Sequence, residues 1–190
     1  AVIFRTTDGG VTWTGQSLDV SPWPRALDMV DEITGFVVGD NGLIVKTTDG
    51  WSNWQTLTSG TTSNLLGVSF INENAGVAVG SGGRILLTAN GGASWSSVSV
   101  SGVTNTLYAV RMLSESEIVS VGTSGRIIRS ANGGFDWVLP ASGVSNALYS
   151  AAFADGLNGT IVGSGGIVLR TLDGGVTWAR QQSGTTNTLT

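Results

Sequence analysis

From Leu65 to Ile71 apolar and small residues alternate, which predicts a strand. Asn72-Glu73-Asn74 then supplies turn chemistry. A second short run, Gly76 to Gly80, closes at Ser81-Gly82-Gly83. Arg84 to Thr88 forms a third, and Asn90-Gly91-Gly92 turns the chain into a fourth, Trp95 to Val100. No helical period interrupts these segments, so the pattern predicts four short strands between Leu65 and Asn105.

The same pattern recurs along the whole chain. An eight-residue turn motif is written five times: Thr6 to Trp13, Thr47 to Trp54, Thr88 to Trp95, Ser130 to Trp137 and Thr171 to Trp178. Its closing tryptophans lie 41, 41, 42 and 41 residues apart. Val-Gly pairs at Val38-Gly39, Val79-Gly80, Val121-Gly122 and Val162-Gly163 keep the same step, as do Met29, Phe70, Met112 and Phe153. A period of this size with strands between the copies signals a propeller or solenoid. Four strands in about 41 residues make one propeller blade.

The third strand supports blades rather than a sandwich with a wet face. One column reads Ile3, Ile44, Ile85, Ile127, Val168, and its neighbour reads Phe4, Val45, Leu86, Ile128, Leu169. Both faces are apolar at one height, as a sheet buried on both faces requires. The expected fold is therefore all-β, a propeller of four-stranded antiparallel blades with about 4.6 repeats. Residues 1–190 read as one array, with a partial blade at 1–20 and blades at about 24–64, 65–105, 107–146 and 148–188.

Composition narrows the chemistry. The chain has 12% charged residues and a net charge of −4, which argues against nucleic acid as a partner. No apolar run is long enough to span a bilayer as a helix. With neither His nor Cys, the usual general base, the Ser-His and Cys-His nucleophiles and ordinary zinc sites are missing. Carboxylates remain as a pair for glycoside hydrolysis. Yet Glu32, Glu73, Glu115 and Glu117 fall in turns between first and second strands, and Asp8, Asp49 and Asp173 belong to the turn motif. No catalytic residue, metal or cofactor is expected.

The turn motif reads as structural. Asp8, Asp49, Asn90, Asn132 and Asp173 each open a tight turn, where a side-chain oxygen accepts backbone N–H groups and Gly supplies positive φ. Trp13, Trp54, Trp95, Trp137 and Trp178 close the copies and pack over the turns. Asn in place of Asp keeps the acceptor and loses the charge, which suits a turn staple and not a calcium ligand.

These residues carry a resemblance. Val162-Gly163, Gly166, Thr171, Asp173-Gly174-Gly175, Thr177-Trp178 and Ser183-Gly184-Thr185-Thr186, with strands such as Leu65-x-x-Val68-x-Phe70, make the chain similar to the photosystem II assembly/stability-factor repeat. That group belongs among the BNR/Asp-box propellers. Departures are Trp51 for the second Gly of its box, and Asn90 and Asn132 for Asp. The resemblance implies a non-catalytic protein-binding or scaffold module, in an extracytoplasmic setting (secreted, periplasmic, lumenal or surface). It also implies a ring of about seven blades, so the chain is expected to be an excerpt of a larger propeller or to be completed by a partner. The alternative is a secreted or virion-surface glycan-binding or glycosidase-related propeller. Sialidases share the Asp box but need an arginine cluster and a Tyr nucleophile with a Glu partner. Here Tyr108 and Tyr149 fill a repeat position also held by Leu66, which reads as packing.

A protein partner, with a glycan as the other possibility, is expected on the rim opposite the boxes. That rim carries Ser59–Asn64, Ser101–Thr106, Ser142–Ala147 and Ser183–Thr188, loops free to vary without touching blade packing. Arg84 and Arg126 follow its short turns in adjacent blades, and Trp23 breaks the loop pattern within Ser21-Pro22-Trp23-Pro24. These three are the candidate contacts. A second basic column, Arg5, Lys46, Arg129 and Arg170, interrupted by Leu87, reads as solvated strand ends. Trp51 is a candidate exposed aromatic on the box rim.

Overall fold

The computed structural model describes residues 1–190 and contains strands and 3-10 turns but no α-helix. The N-terminal β1 (Val2–Arg5) and β2 (Thr14–Ser17) form a two-stranded sheet. Blade 1 follows, with β3 (Pro24–Met29), β4 (Gly35–Gly39), β5 (Ile44–Thr47) and β6 (Gln55–Leu57) in sequence order. Blade 2 repeats this order with β7 (Leu65–Phe70), β8 (Gly76–Gly80), β9 (Ile85–Thr88) and β10 (Ser96–Val98). Blade 3 holds β11 (Leu107–Met112), β12 (Ile118–Gly122) and β13 (Ile127–Ser130). Blade 4 holds β14 (Leu148–Phe153), β15 (Gly159–Gly163), β16 (Val168–Thr171) and β17 (Ala179–Gln181). Every pairing is antiparallel, and the expected all-β propeller of antiparallel blades is what the chain forms.

Blade 3 departs from four strands. Its outermost segment is a single bridge, in which Arg129 and Val138 exchange N–H···O bonds of 2.9 and 2.8 Å. The next hydrogen-bonded pair lies two residues along, where Pro140 has no N–H to give.

The core lies between the blades. Phe36, Val38 and Ile44 of blade 1 pack with Leu65, Val68, Phe70, Ala78 and Leu86 of blade 2. The ring of Phe36 stacks on that of Phe70 at 3.6 Å. Val77, Val79 and Ile85 meet Leu107, Val110, Ile118 and Ile128, and Val119, Val121 and Ile127 meet Leu148, Ala151, Ile161 and Leu169. Neighbours along one strand point opposite ways, so Val37, between Phe36 and Val38, packs back against Leu18. This is why both third-strand columns are apolar.

The short turns after the second strands need glycine at their third position. Gly42, Gly83, Gly125 and Gly166 lie at φ of +66° to +74°, and a Cβ on any of them would strike the carbonyl of Thr61, Val103, Val144 or Thr185. Each turn is thereby pressed against the loop that enters the next blade. This contact fixes the height of the rim opposite the boxes.

Candidate functional site

The box turns are closed by their own side chains. Thr47 Oγ1 accepts the N–H groups of Asp49 and Trp51, and Asp49 Oδ1 accepts that of Asn53 at 2.8 Å. Asn90 Oδ1 and Asn132 Oδ1 accept in the same way from Ser94 and Asp136. The indole N–H of Trp13, Trp137 and Trp178 donates to the carbonyl of the second box glycine at 2.9–3.1 Å. Trp95 has the same placement, but its Nε1 is buried without an acceptor. Trp54 is half-buried against the cluster of Leu18, Val37, Leu43, Val45 and Trp51. The box is also bonded to the first-to-second-strand turn of its own blade, as in Gly91 N–H to Asn74 O at 2.9 Å.

Two readings of this rim change. Trp51 is not exposed; it is 3% accessible and donates its indole N–H toward Met29 Sδ at 3.2 Å. It fills the space between β1–β2 and blade 1, which the two-stranded sheet only partly covers. The basic column is not a row of solvated strand ends. Arg5 Nη1 donates to Gly50 O at 2.9 Å, Lys46 Nζ to Gly91 O at 3.0 Å and Arg129 Nε to Gly174 O at 2.8 Å. Each ties one blade to the box of the next. Leu87 has no donor and packs on Gly134 instead. Arg170, on the outer face of blade 4, is exposed.

The opposite rim carries the candidate contacts. Ser21, Pro22, Asn41, Leu57, Thr61 and Arg84 line an open, mostly polar trough of about 670 Å³ between blades 1 and 2. Arg84 sits at its edge, with Nη1 donating to Ser97 Oγ at 2.7 Å and Nε covered but without an acceptor. Trp23 adjoins Pro22 and is 74% exposed. Most of its indole surface is therefore open to solvent. Arg126 belongs to the next seam, where Nε donates to Asn105 Oδ1 at 3.3 Å. Of the three candidate contacts the trough is thus lined by Arg84 alone: Trp23 is not among its lining residues, and Arg126 bonds to Asn105 one blade on.

Sequence reasoning missed an ion pair on this rim. Arg25 Nε and Nη2 donate to the two oxygens of Asp40 at 2.8 and 2.7 Å, beside Trp23, whose carbonyl accepts the Asp40 N–H. The guanidinium holds the Asp40 carboxyl below the usual carboxylate range. The signal was present in the columns: Arg25 stands where other blades have Leu66, Tyr108 and Tyr149, and Asp40 where they have Ser81, Thr123 and Ser164. Tyr108 and Tyr149 are half-buried and face each other with ring centroids 5.1 Å apart, as packing residues of neighbouring first strands.

Comparison with known proteins agrees with this architecture. The solved structure described as YCF48 bound to D1 peptide is 17% identical, with a TM-score of 0.60 over 86% of this chain and 83% of that one. YCF48 from Cyanidioschyzon merolae is 21% identical, with a TM-score of 0.69 over 87% of this chain and 57% of that one. The GH74 enzyme of Niastella koreensis is 17% identical, with a TM-score of 0.70 over 83% of this chain and 30% of that one. At these identities the likeness is one of fold. No curated protein matches the sequence. The family model for photosynthesis system II assembly factor YCF48 matches residues 6–138, most of the chain, which therefore belongs to that family.

Proposed function

We propose that this chain is a non-catalytic binding module that presents the rim opposite its Asp boxes to an extended segment of a protein partner. The observation that carries this reading is the trough between blades 1 and 2, with a guanidinium at its edge, on the chain that also exposes the indole of Trp23, the residue after Pro22 of its lining. Arg84 offers charge-assisted hydrogen bonds to a carboxylate, and Trp23 offers apolar area at low entropic cost. The box rim has its polar side chains committed to turns and interblade ties. Family membership supports a photosystem assembly partner, and the related structure holds a D1 peptide. An extracytoplasmic setting goes with that reading.

The test is binding of a D1 peptide to the wild-type chain, to Trp23→Ala and to Arg84→Glu/Arg126→Glu. Both variants should bind at least about tenfold more weakly, the charge-reversed one with an altered salt dependence, and both should keep the wild-type melting temperature. Unchanged affinity in both would refute the site. The GH74 likeness supports a second reading, a glycan-binding propeller in which Trp23 stacks on a sugar. Hydrolysis of a xyloglucan lost on replacing one carboxylate would favour it over a non-catalytic module.

A further inference from the structure

We infer that Arg111 and the N–H of Phe153 form a carboxylate-binding site on the inner edge of the array, at the seam between blades 3 and 4. Neighbouring blades meet chiefly through their first strands, β3, β7, β11 and β14. Each of these pairs with the second strand of its own blade on one side only, so alternate N–H groups on its other edge point away from the sheet. Phe70, Met112 and Phe153 hold the same register position, at the box-rim end of their strands. The N–H of Ala154 turns inward to Asn158 O at 2.9 Å, so that of Phe153, its neighbour, turns outward.

The other seams show what such an N–H takes. Phe70 N–H donates to Asp28 Oδ2 at 2.6 Å, and Met112 N–H donates to Ser69 Oγ at 3.1 Å. The acceptor in both comes from one column of the preceding blade's first strand. At the third seam that column holds Arg111, which has donors only. Its Nε donates to Ala151 O at 3.0 Å, two residues before Phe153 on the same edge. No side chain accepts the Phe153 N–H, and Nη1 and Nη2 of the exposed Arg111 are left for solvent. Asp28 feels the charge of Arg111, but its Oδ2 is held by Phe70 and the two do not close into an ion pair. The seam therefore sets a guanidinium beside an outward N–H and supplies no acceptor for either. A carboxylate satisfies both: one oxygen repeats the bond that Asp28 makes to Phe70, and the other meets the guanidinium. The site is built entirely by β11 and β14, each backed by its own second strand. Its ligand is a carboxylate carried by a small acid or by the end of a peptide chain.

Acetate titrated into the isotope-labelled 190-residue chain at constant ionic strength, followed by amide chemical shifts, tests this. The Phe153 amide should shift saturably, and the Phe70 and Met112 amides, already capped, should not. Acetylated dialanine with a free C-terminal carboxylate should move the same amide, and its C-terminal amide form should not. Tighter binding of the dipeptide acid than of acetate would assign the site to a chain end, and equal affinity would assign it to small acids. Arg111→Ser offers Phe153 a hydroxyl, as Ser69 does Met112, and should weaken acetate binding at least about tenfold. Arg111→Lys keeps the charge without the planar fork and should fall between wild type and Arg111→Ser. Arg170→Ala, which removes another exposed cation of blade 4, should leave the response unchanged. An unmoved Phe153 amide, equal movement of the Phe70 and Met112 amides, equal binding of the dipeptide amide, or undiminished binding by Arg111→Ser would overturn the assignment. The first three of these outcomes are read on the wild-type chain alone.

Discussion

Asn132 Nδ2 donates to Asp136 Oδ2 at 2.8 Å, and this bond reverses the polarity of the turn it closes. In the copies with aspartate the carboxylate accepts: Asp8 Oδ2 from Thr12 Oγ1 at 2.6 Å, and Asp49 Oδ2 from Asn53 Nδ2 at 2.8 Å. The first and fifth residues of this stretch are therefore chosen as donor–acceptor pairs. Asn132→Asp should place two carboxylates in contact and destabilise the chain by about 1 kcal/mol at neutral pH. Adding Asp136→Thr restores a donor and should recover most of that loss. Urea titrations of the two single variants and the double variant measure the coupling. Additive effects would show that the pair does not act as a unit.

The interblade ties predict a graded series. Arg129 is 8% exposed and spans from Glu117 to the Gly174 carbonyl, so removing it leaves the carbonyl of the buried Gly174 without its donor, while the partly exposed Glu117 can turn to water. Arg129→Ala should cost about 2–3 kcal/mol. Lys46→Leu copies the residue that blade 2 uses at this position and keeps contact with the Phe36 ring, so it should cost less than about 1 kcal/mol. Arg170→Ala, at an exposed position, should change stability by no more than about 0.5 kcal/mol. Denaturant midpoints compared at constant slope give the order.

Acid should act on the boxes first. Asp8 and Asp173 are held down to about 2, chiefly by the Thr12 and Thr177 hydroxyls, with the backbone N–H of the same residues next. Their ordinary value is 3.8, so the folded chain holds these protons less tightly than the unfolded one. Their stabilisation is present in full above about pH 4 and is lost as pH falls toward 2. The melting temperature should therefore be insensitive to these groups between pH 7 and 5 and should drop below 4, less steeply in Asp173→Asn. Asp28 works the other way. Partial burial pushes its carboxyl up, against the Phe70 N–H and the charge of Arg111. Asp28 thus costs stability as pH rises above its ordinary value of 3.8, and the cost is complete above its raised folded value. Asp28→Asn, which keeps an acceptor for Phe70, should raise the melting temperature at pH 7, and the gain should vanish below about pH 4.

What could be read from the sequence was whatever repeats within one blade. The alternation from Leu65 to Val100 and the Gly-rich turns reproduce β7 to β10 to within two residues at each end. Contacts between blades were less legible. Arg5 and Gly50, or Arg129 and Gly174, are 45 residues apart, and nothing inside one repeat says that a side chain crosses to the next box. Arg84 and Arg126 share a column, but they bond to different elements, Arg84 to Ser97 of its own outer strand and Arg126 to Asn105 of the preceding loop, a difference that the shared column does not reveal. Pro140 was visible, yet its effect depends on which N–H of the outer strand points inward, a matter of pairing phase and not of composition.

Trp51 sets two effects against each other. It stands at φ +69°, where the other boxes have Gly10, Gly92, Gly134 and Gly175, and a side chain in that conformation is strained by about 1 kcal/mol. Yet its indole is buried among Leu18, Val37, Leu43 and Val45, and losing a buried aromatic costs about 3–5 kcal/mol. Packing outweighs strain, so both Trp51→Ala and Trp51→Gly should destabilise. Glycine relieves the backbone while alanine keeps a Cβ at positive φ, so Trp51→Gly should be the milder by about 1 kcal/mol, although glycine is usually the worse replacement in a strand or helix. Urea midpoints of the two variants decide the matter. Alanine equal to or better than glycine would mean that the turn relaxes out of the left-handed region once the indole is gone.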